Sequence, residues 1–168
     1  MATTPSTDNY TLGKGKITFN DLDLGNAPSF NFNVELEKLD HFSSRGGIKS
    51  KDLSIISQIT PTVSFTLDEI NGQNMELLAL GKMTDGVISA FTETTVKGPL
   101  TFTSDNPVGN NMKIEFWNVS LTPSGEVSLI GDDWTTLSFT GEVLRSDDIE
   151  HTDSPYGDIT MLDEVIGG

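Results

Sequence analysis

The residues of this chain that could act in acid–base or nucleophilic catalysis are few and far apart. The two histidines are His41 and His151, and the chain contains no cysteine. The sequence has no Gly-x-Ser-x-Gly nucleophile elbow, no Walker loop and no His-Glu-x-x-His zinc motif. The run 13–16, Gly-Lys-Gly-Lys, has the glycines of a phosphate loop, but it lacks the Lys-Ser/Thr ending and leads into a strand pattern. We therefore expect no enzymatic activity and no cofactor.

Two acidic pairs are weak candidates for a calcium site. Asp21 and Asp23 flank a leucine, and Asp132 and Asp133 are adjacent. Neither pair has the ligand spacing of a calcium-binding loop. We therefore assign no metal site, and the sequence alone leaves metal binding open.

Two further pairs define alternatives to a structural role. Glu115 and Glu142, if close on adjacent strands, would provide the paired carboxylates of a β-sandwich hydrolase. Trp117 and Trp134 would provide the stacking platform of a carbohydrate-binding or adhesin-type β-sandwich module. Tryptophans are more often core or interface residues, so the carbohydrate module is our second interpretation and the hydrolase our third.

Length and charge narrow the class of protein. A chain of 168 residues is most simply one domain with a real core. No apolar run approaches the roughly 20 residues of a membrane span, and the N-terminus lacks the regions of a signal peptide. The net charge of −15 argues against direct nucleic-acid binding, because contacts of Lys and Arg with phosphates supply most of that affinity. The absence of cysteine favours a protein made in a reducing cytoplasm.

The longest regular pattern runs from Leu53 to Leu67 and predicts one strand with an apolar face and a neutral polar face. Ordinary strands have about 3–10 residues, so this one exceeds the core that a single domain of this size builds. Either the strand bends at Pro61 inside a monomeric sandwich, or part of it pairs with another molecule. We follow the second interpretation, that of a self-assembling shell or tube subunit.

The other patterns predict a mainly β chain, an antiparallel β-sandwich or barrel-like subunit with one short flanking α-helix. The helix is predicted within residues 68–81, capped by Asp68 or Asn71. The apolar alternation changes phase between Phe116 and Trp117, which predicts a β-bulge. The residues expected to pack the helix are Ile70, Leu77 and Leu78.

Composition divides the chain into three parts. Residues 1–11 read as a flexible arm, residues 12–145 as the β-rich domain, and residues 146–168 as an acidic tail without basic residues. The tail's apolar residues, among them Ile159 and Met161, are its candidate docking points.

Residues 37–52 show no periodicity and are predicted to form a long loop between two strong strands. This segment holds four of the ten basic residues of a strongly acidic chain. The local charge reversal indicates a contact arm that docks on the acidic surface of a neighbouring copy, with a solvated loop as the alternative. The candidate contact residues are Lys38, His41, Phe42, Arg45, Ile48, Lys49 and Lys51.

Several runs resemble the tail tube proteins of long-tailed bacteriophages. They are Tyr10–Phe19, Gly25–Phe30 and Leu39–Asp52, followed by the helical pattern Leu67–Gly81. The resemblance therefore spans residues 10–81, while the later part of the chain shares only its β-rich character.

The resemblance implies a structural subunit of the virion tail, assembled in the host cytoplasm. Six copies would form a ring whose sheets join into an inner β-barrel, and stacked rings would form a hollow tube. The partners would be further copies of the chain, other tail proteins at the tube ends, and genomic DNA that passes through without being specifically bound. On this view the loop 37–52 makes the contact between rings. The candidates for the lumen wall are Gln58, Thr60, Thr62, Ser64 and Thr66.

Overall fold

The computed structural model describes residues 4–162, which form one antiparallel eight-stranded sheet, a small two-stranded sheet and one α-helix. The large sheet has the strand order β2-β1-β7-β8-β9-β4-β3, and β10 pairs with β8. The predicted class, a mainly β sandwich or barrel-like subunit with a flanking helix, is confirmed. The elements are β1 Gly15–Phe19, β2 Leu22–Asp23, β3 Ser29–Ser43, β4 Ser50–Leu67, α1 Gly72–Ala79, β5 Lys82–Thr84, β6 Val87–Ser89, β7 Val96–Ser104, β8 Met112–Ser124, β9 Leu137–Val143 and β10 Gly157–Met161.

The core lies between parts of the sheet that are distant in strand order. Phe30 of β3 stacks on Phe102 of β7 with ring centroids 4.8 Å apart, although three strands, β8, β9 and β4, separate β3 from β7 in the sheet. The sheet therefore curls over itself and encloses one apolar interior, as period-two alternation requires. Its buried members are Ile17, Phe19, Leu24, Val63, Phe65, Leu67, Leu100, Ile114, Phe116, Val119, Leu121, Leu137, Phe139 and Val143.

Helix α1 closes one end of this interior. Asn71 caps it by accepting a hydrogen bond from the backbone N–H of Asn74 at 2.9 Å. Asn74 is fully buried, and its Nδ2 donates to the carbonyl oxygens of Leu24 and Glu69, both at 2.9 Å. Since buried carbonyl groups are costly to leave unpaired, this side chain ties the helix to the loop after β2.

Two of the three predicted helix-packing residues contact the core. Leu77 and Leu78 are partly buried against it. Ile70 is 48% exposed, because the helix begins at Gly72 and leaves Ile70 in the preceding turn. Among the described residues, Ile70 is not one of the partly buried side chains that pack against the core. Within residues 4–162 no helix has the length and apolar content needed to span a bilayer.

The predicted loop over 37–52 is for the most part strand. β3 continues to Ser43 and β4 begins at Ser50, so the connection is reduced to residues 44–49. The strand register runs unbroken through Pro61, which pairs with Val34. The alternation of apolar and polar residues does not reveal these strands, because the register shifts twice. Ser57 and Asp52 are each one extra residue on β4, and each such β-bulge inverts the alternation beyond it.

The predicted bulge in β8 is present, and the acidic tail docks beside it. Leu100 pairs with Phe116 whereas Gly98 pairs with Val119, so β8 carries one extra residue there. Trp117 is thereby turned toward the tail: its ring stacks on His151 with centroids 4.3 Å apart, and its Nε1 donates to the Ser154 oxygen at 2.7 Å.

Beyond the Trp117 contact the tail forms strand β10, which pairs with the first half of β8. The backbone of β10 makes this pairing, while Ile159 stays 57% exposed and Met161 37%. Residues 1–3 of the predicted arm and 163–168 of the tail lie outside the described residues.

We expect Asn74→Ala to lower the free energy of unfolding by about 2–3 kcal/mol, because it removes the donor from the buried carbonyl oxygen of Leu24 and from the partly buried carbonyl oxygen of Glu69. Urea denaturation followed by circular dichroism measures this loss. Gln73→Ala on the same helix is the control, since Gln73 makes a single long hydrogen bond of 3.5 Å, and it should change the value by less than about 0.5 kcal/mol. Equal losses in the two variants would contradict the role of Asn74.

Candidate assembly surfaces

The hairpin of β3 and β4 projects beyond the body of the subunit. β9 covers β4 only from Thr62 to Leu67, so β4 from Pro61 back to Ser50 is paired with β3 alone. At about 3.3 Å per residue this unsupported stretch is roughly 35 Å long. Pro61 lies where the second neighbour ends, a position at which a missing N–H is tolerated.

This projection leaves two long backbone edges open. Among the strands that the structure describes, β3 has only β4 as a partner, and the outer part of β4 has only β3. Unpaired N–H and C=O groups along an extended strand are a template for pairing with another chain. Because the two edges lie on opposite sides of one hairpin, the subunit can be joined on both sides.

Apolar side chains cover one face of the hairpin near the body and the other face near its tip. The proximal stripe continues the core face outward, and the Ser57 bulge then transfers the apolar residues to the opposite face, where they form the distal stripe. All members are at least 46% exposed in the monomer. The proximal stripe is Phe32, Val34, Leu36, Ile56 and Ile59, and the distal stripe is Leu39, Leu53 and Ile55.

The predicted contact residues gather at the end of this hairpin. Lys38, His41 and Phe42 lie on the outer part of β3, Arg45, Ile48 and Lys49 lie in the connection 44–49, and Lys51 lies on β4. We call residues 38–52 the tip.

The tip is basic, with four cations against two carboxylates and thus a formal charge of +2. The Lys51 Nζ pairs with Asp40 at 2.7 Å, and the His41 Nδ1 lies 2.6 Å from the Asp52 carboxylate. The hydrogen bond from Lys51, and next that from Ser54, lowers the pKa of Asp40, so protonation opens this pair only below the ordinary carboxyl range. Both pairs link β3 to β4 across the outer end of the hairpin.

The turn at the end of the tip presents unpaired groups. Within residues 4–162 neither Arg45 nor Lys49 forms an ion pair. Ile48, which lies between them in the sequence, is 87% exposed. An apolar side chain flanked by two free cations is suited to a surface that offers the converse pattern.

The five lumen-wall candidates share one face of β4. Thr62, Ser64 and Thr66 lie opposite Glu142, Thr140 and Ser138 of β9, which in turn face Ser120, Thr122 and Ser124 of β8. A shallow depression runs across these strands. The result is a continuous surface of hydroxyl groups, which we call the polar face. Glu35, Glu37 and Glu142 supply its carboxylates and Lys97 a cation at its far strand.

The residues proposed for a hydrolase or a sugar platform are not brought together. Glu142 faces Ser120, five residues along β8 from Glu115, so the two carboxylates are roughly 16 Å apart along the sheet. Carboxylate pairs in glycosidases lie within about 10 Å. One face of Trp117 is covered by His151, whereas Trp134 belongs to a different surface and is 92% exposed.

The remaining candidates from the sequence are the glycine-rich run 13–16 and the acidic pairs. The run 13–16 enters β1, and a side chain at Gly15 would meet the Thr103 carbonyl oxygen at 2.5 Å, so that glycine serves strand packing. Within residues 4–162 no group of three or more acidic or histidine side chains is placed to hold a metal ion.

Sequence reasoning missed the surface formed by residues 125–136. β8 runs to Ser124, and a long irregular connection follows it. We call this connection the acidic loop. It presents Leu129, Ile130 and Trp134 at 73%, 95% and 92% exposure beside three carboxylates. The signal available in the sequence was three large apolar residues in so short and acidic a segment.

No curated protein matches the chain. Among solved structures, the chain is similar to the anti-feeding prophage cap, described as the AFP tube terminating cap, with a TM-score of 0.50 and 10% identity. The match covers 96% of this chain and 94% of that one. At this identity the likeness concerns the fold alone.

A family model described as "Protein of unknown function UCP028589" matches residues 10–102. The match includes the whole projecting hairpin, the helix α1 and most of β7. It also contains the region 10–81 that resembles tail tube proteins. Because the model matches more than half of the 168 residues, the chain belongs to the family of proteins of unknown function UCP028589.

Proposed function

We propose that this protein is a non-catalytic subunit of a phage-type tail tube, made of stacked rings of identical copies and located in the virion tail. The observation that carries the proposal is the β3–β4 hairpin, with its two open edges and its two exposed apolar stripes. Burying these stripes is worth about 25 cal/mol per Å² of apolar surface, a gain that the monomer forgoes. A neighbouring copy on each side supplies both the missing strand pairs and the missing apolar contacts.

Lateral pairing of the hairpins generates a ring. The two open edges differ, so the contact is heterologous and closes when the rotation between copies divides a full turn. Closure pairs both open edges of the hairpin, as in a barrel. Six copies are the number implied by the resemblance to tail tube proteins. The fold shared with a tube terminating cap supports a place in such an assembly.

The polar face is the surface proposed to line the tube. Hydroxyl groups offer no fixed charge to phosphates, and the carboxylates Glu35, Glu37 and Glu142 repel them within about one Debye length, ~8 Å at physiological salt. A channel with this lining conducts DNA without holding it. The tip then makes the contact between one ring and the next.

We expect Arg45→Glu combined with Lys49→Glu to abolish stacking while the subunit remains folded, because the turn would carry negative charge toward an acidic neighbour. Negative-stain images and sedimentation of the purified chain at high concentration measure assembly. Lys14→Glu with Lys82→Glu is the matched control, since it changes the net charge equally at exposed positions outside the hairpin. Normal rods from the tip variant would contradict the assignment.

We expect Thr62→Lys to leave tubes intact but to make them bind DNA, because cations on the wall would contact phosphates. Binding of a fluorescent duplex to assembled tubes, measured from low to high salt, checks this. Affinity should fall steeply with salt, and Thr84→Lys on the small sheet should show no binding above wild type. Tubes of Thr62→Lys that ignore DNA would remove this face from the lumen.

A further inference from the structure

The acidic loop has the converse chemistry of the tip. It carries Glu126, Asp132 and Asp133 and no basic residue, a formal charge of −3 against +2 for the tip. Within residues 4–162 none of these three carboxylates forms an ion pair. Each surface also presents large exposed apolar side chains beside its charges.

The acidic loop is held in a defined shape. Val127 packs against the core at its base. The Thr135 hydroxyl donates to the Ser128 carbonyl oxygen at 2.9 Å and so closes the loop around residues 129–134. The Ser128 hydroxyl donates to the Ile130 carbonyl oxygen at 3.1 Å inside it. A preorganised surface loses less conformational entropy on binding than a mobile one.

The strand register places the two surfaces at opposite ends of the subunit. Leu67 at the end of β4 pairs with Leu137 at the start of β9, and Ser138 pairs with Ser124 at the end of β8. The acidic loop joins these last two strands, so it emerges at the Leu67 end. The tip lies at the Ser50 end of the same strand, roughly 55 Å away at about 3.3 Å per residue. The tip therefore cannot reach the acidic loop of its own chain.

We propose that the acidic loop is the receptor for the tip of a second copy of this chain. The inference rests on the proposed function and names the partner surface of its stacking contact. Arg45 and Lys49 lie against Asp132 and Asp133, and Ile48 packs with Ile130 and Trp134. A contact between unlike surfaces at opposite ends repeats without closing, which gives an open stack.

Charge reversal tests the pairing. Asp132→Lys with Asp133→Lys should abolish stacking, as is expected of the tip reversal, because like charges then meet. A chain carrying all four reversals restores opposite charges and should assemble within about threefold of wild type. An equimolar mixture of the two double variants should also assemble, since each reversed tip then finds a reversed loop.

The outcomes separate this contact from the tube itself. If the Asp132/Asp133 variant forms hollow rods normally, the proposed contact between tip and acidic loop is wrong, but the tube proposal stands. The same holds if the fourfold variant is folded but does not recover assembly. If the variants associate as the charge reversals predict but form no hollow rods, the contact is supported and the tube proposal is wrong. A wild-type chain that stays monomeric at every concentration rejects both.

Trp134 gives a second readout. Its emission should shift to shorter wavelength when the ring is buried on assembly, whereas Trp117 is already covered by His151 and changes little. Trp134→Phe is the control: it keeps an apolar ring and should assemble, but without the shift. An unchanged wild-type spectrum on assembly would overturn the contact.

Discussion

The structure depends on backbone hydrogen bonding that one molecule leaves incomplete. An extended chain satisfies its N–H and C=O groups through neighbouring strands, and the body of this subunit does so on both sides of β8 and β9. The β3–β4 hairpin departs from that arrangement, because it extends past the last residue of β9 that could pair with β4. Its apolar stripes follow the same logic, since they continue the alternation of the core into a region where this chain provides nothing to pack against.

The β-bulges change which face of a strand carries the apolar side chains. At Ser57 the bulge moves the apolar residues from one face of the hairpin to the other, so the same two strands can contact different surfaces near the body and near the tip. The bulge beside Trp117 acts in the same way on β8, where it turns the indole away from the core and toward the tail. In both cases one extra residue changes the surface that the following side chains of the strand face.

Much of the fold could be predicted because alternation and capping are local signals. The strand through Pro61, the helix capped by Asn71 and the bulge at Trp117 all follow from neighbouring residues. The segment 37–52 shows no alternation although it is mostly strand, because two bulges invert its period, which no local pattern reveals. The acidic loop and the strand β10 depend on contacts with distant residues, such as Thr135 with Ser128 and Gly157 with Phe116, so the sequence alone did not expose them.

The end-to-end asymmetry of the subunit makes any stack of it directional. One terminus of such a stack exposes cationic turns around Arg45, and the other exposes anionic loops around Asp132. Elongation at the two termini would then proceed at different rates, and a capping protein whose charge is attracted to one terminus would be repelled by the other. A single gene product could in this way specify which end of a filament begins and which end stops.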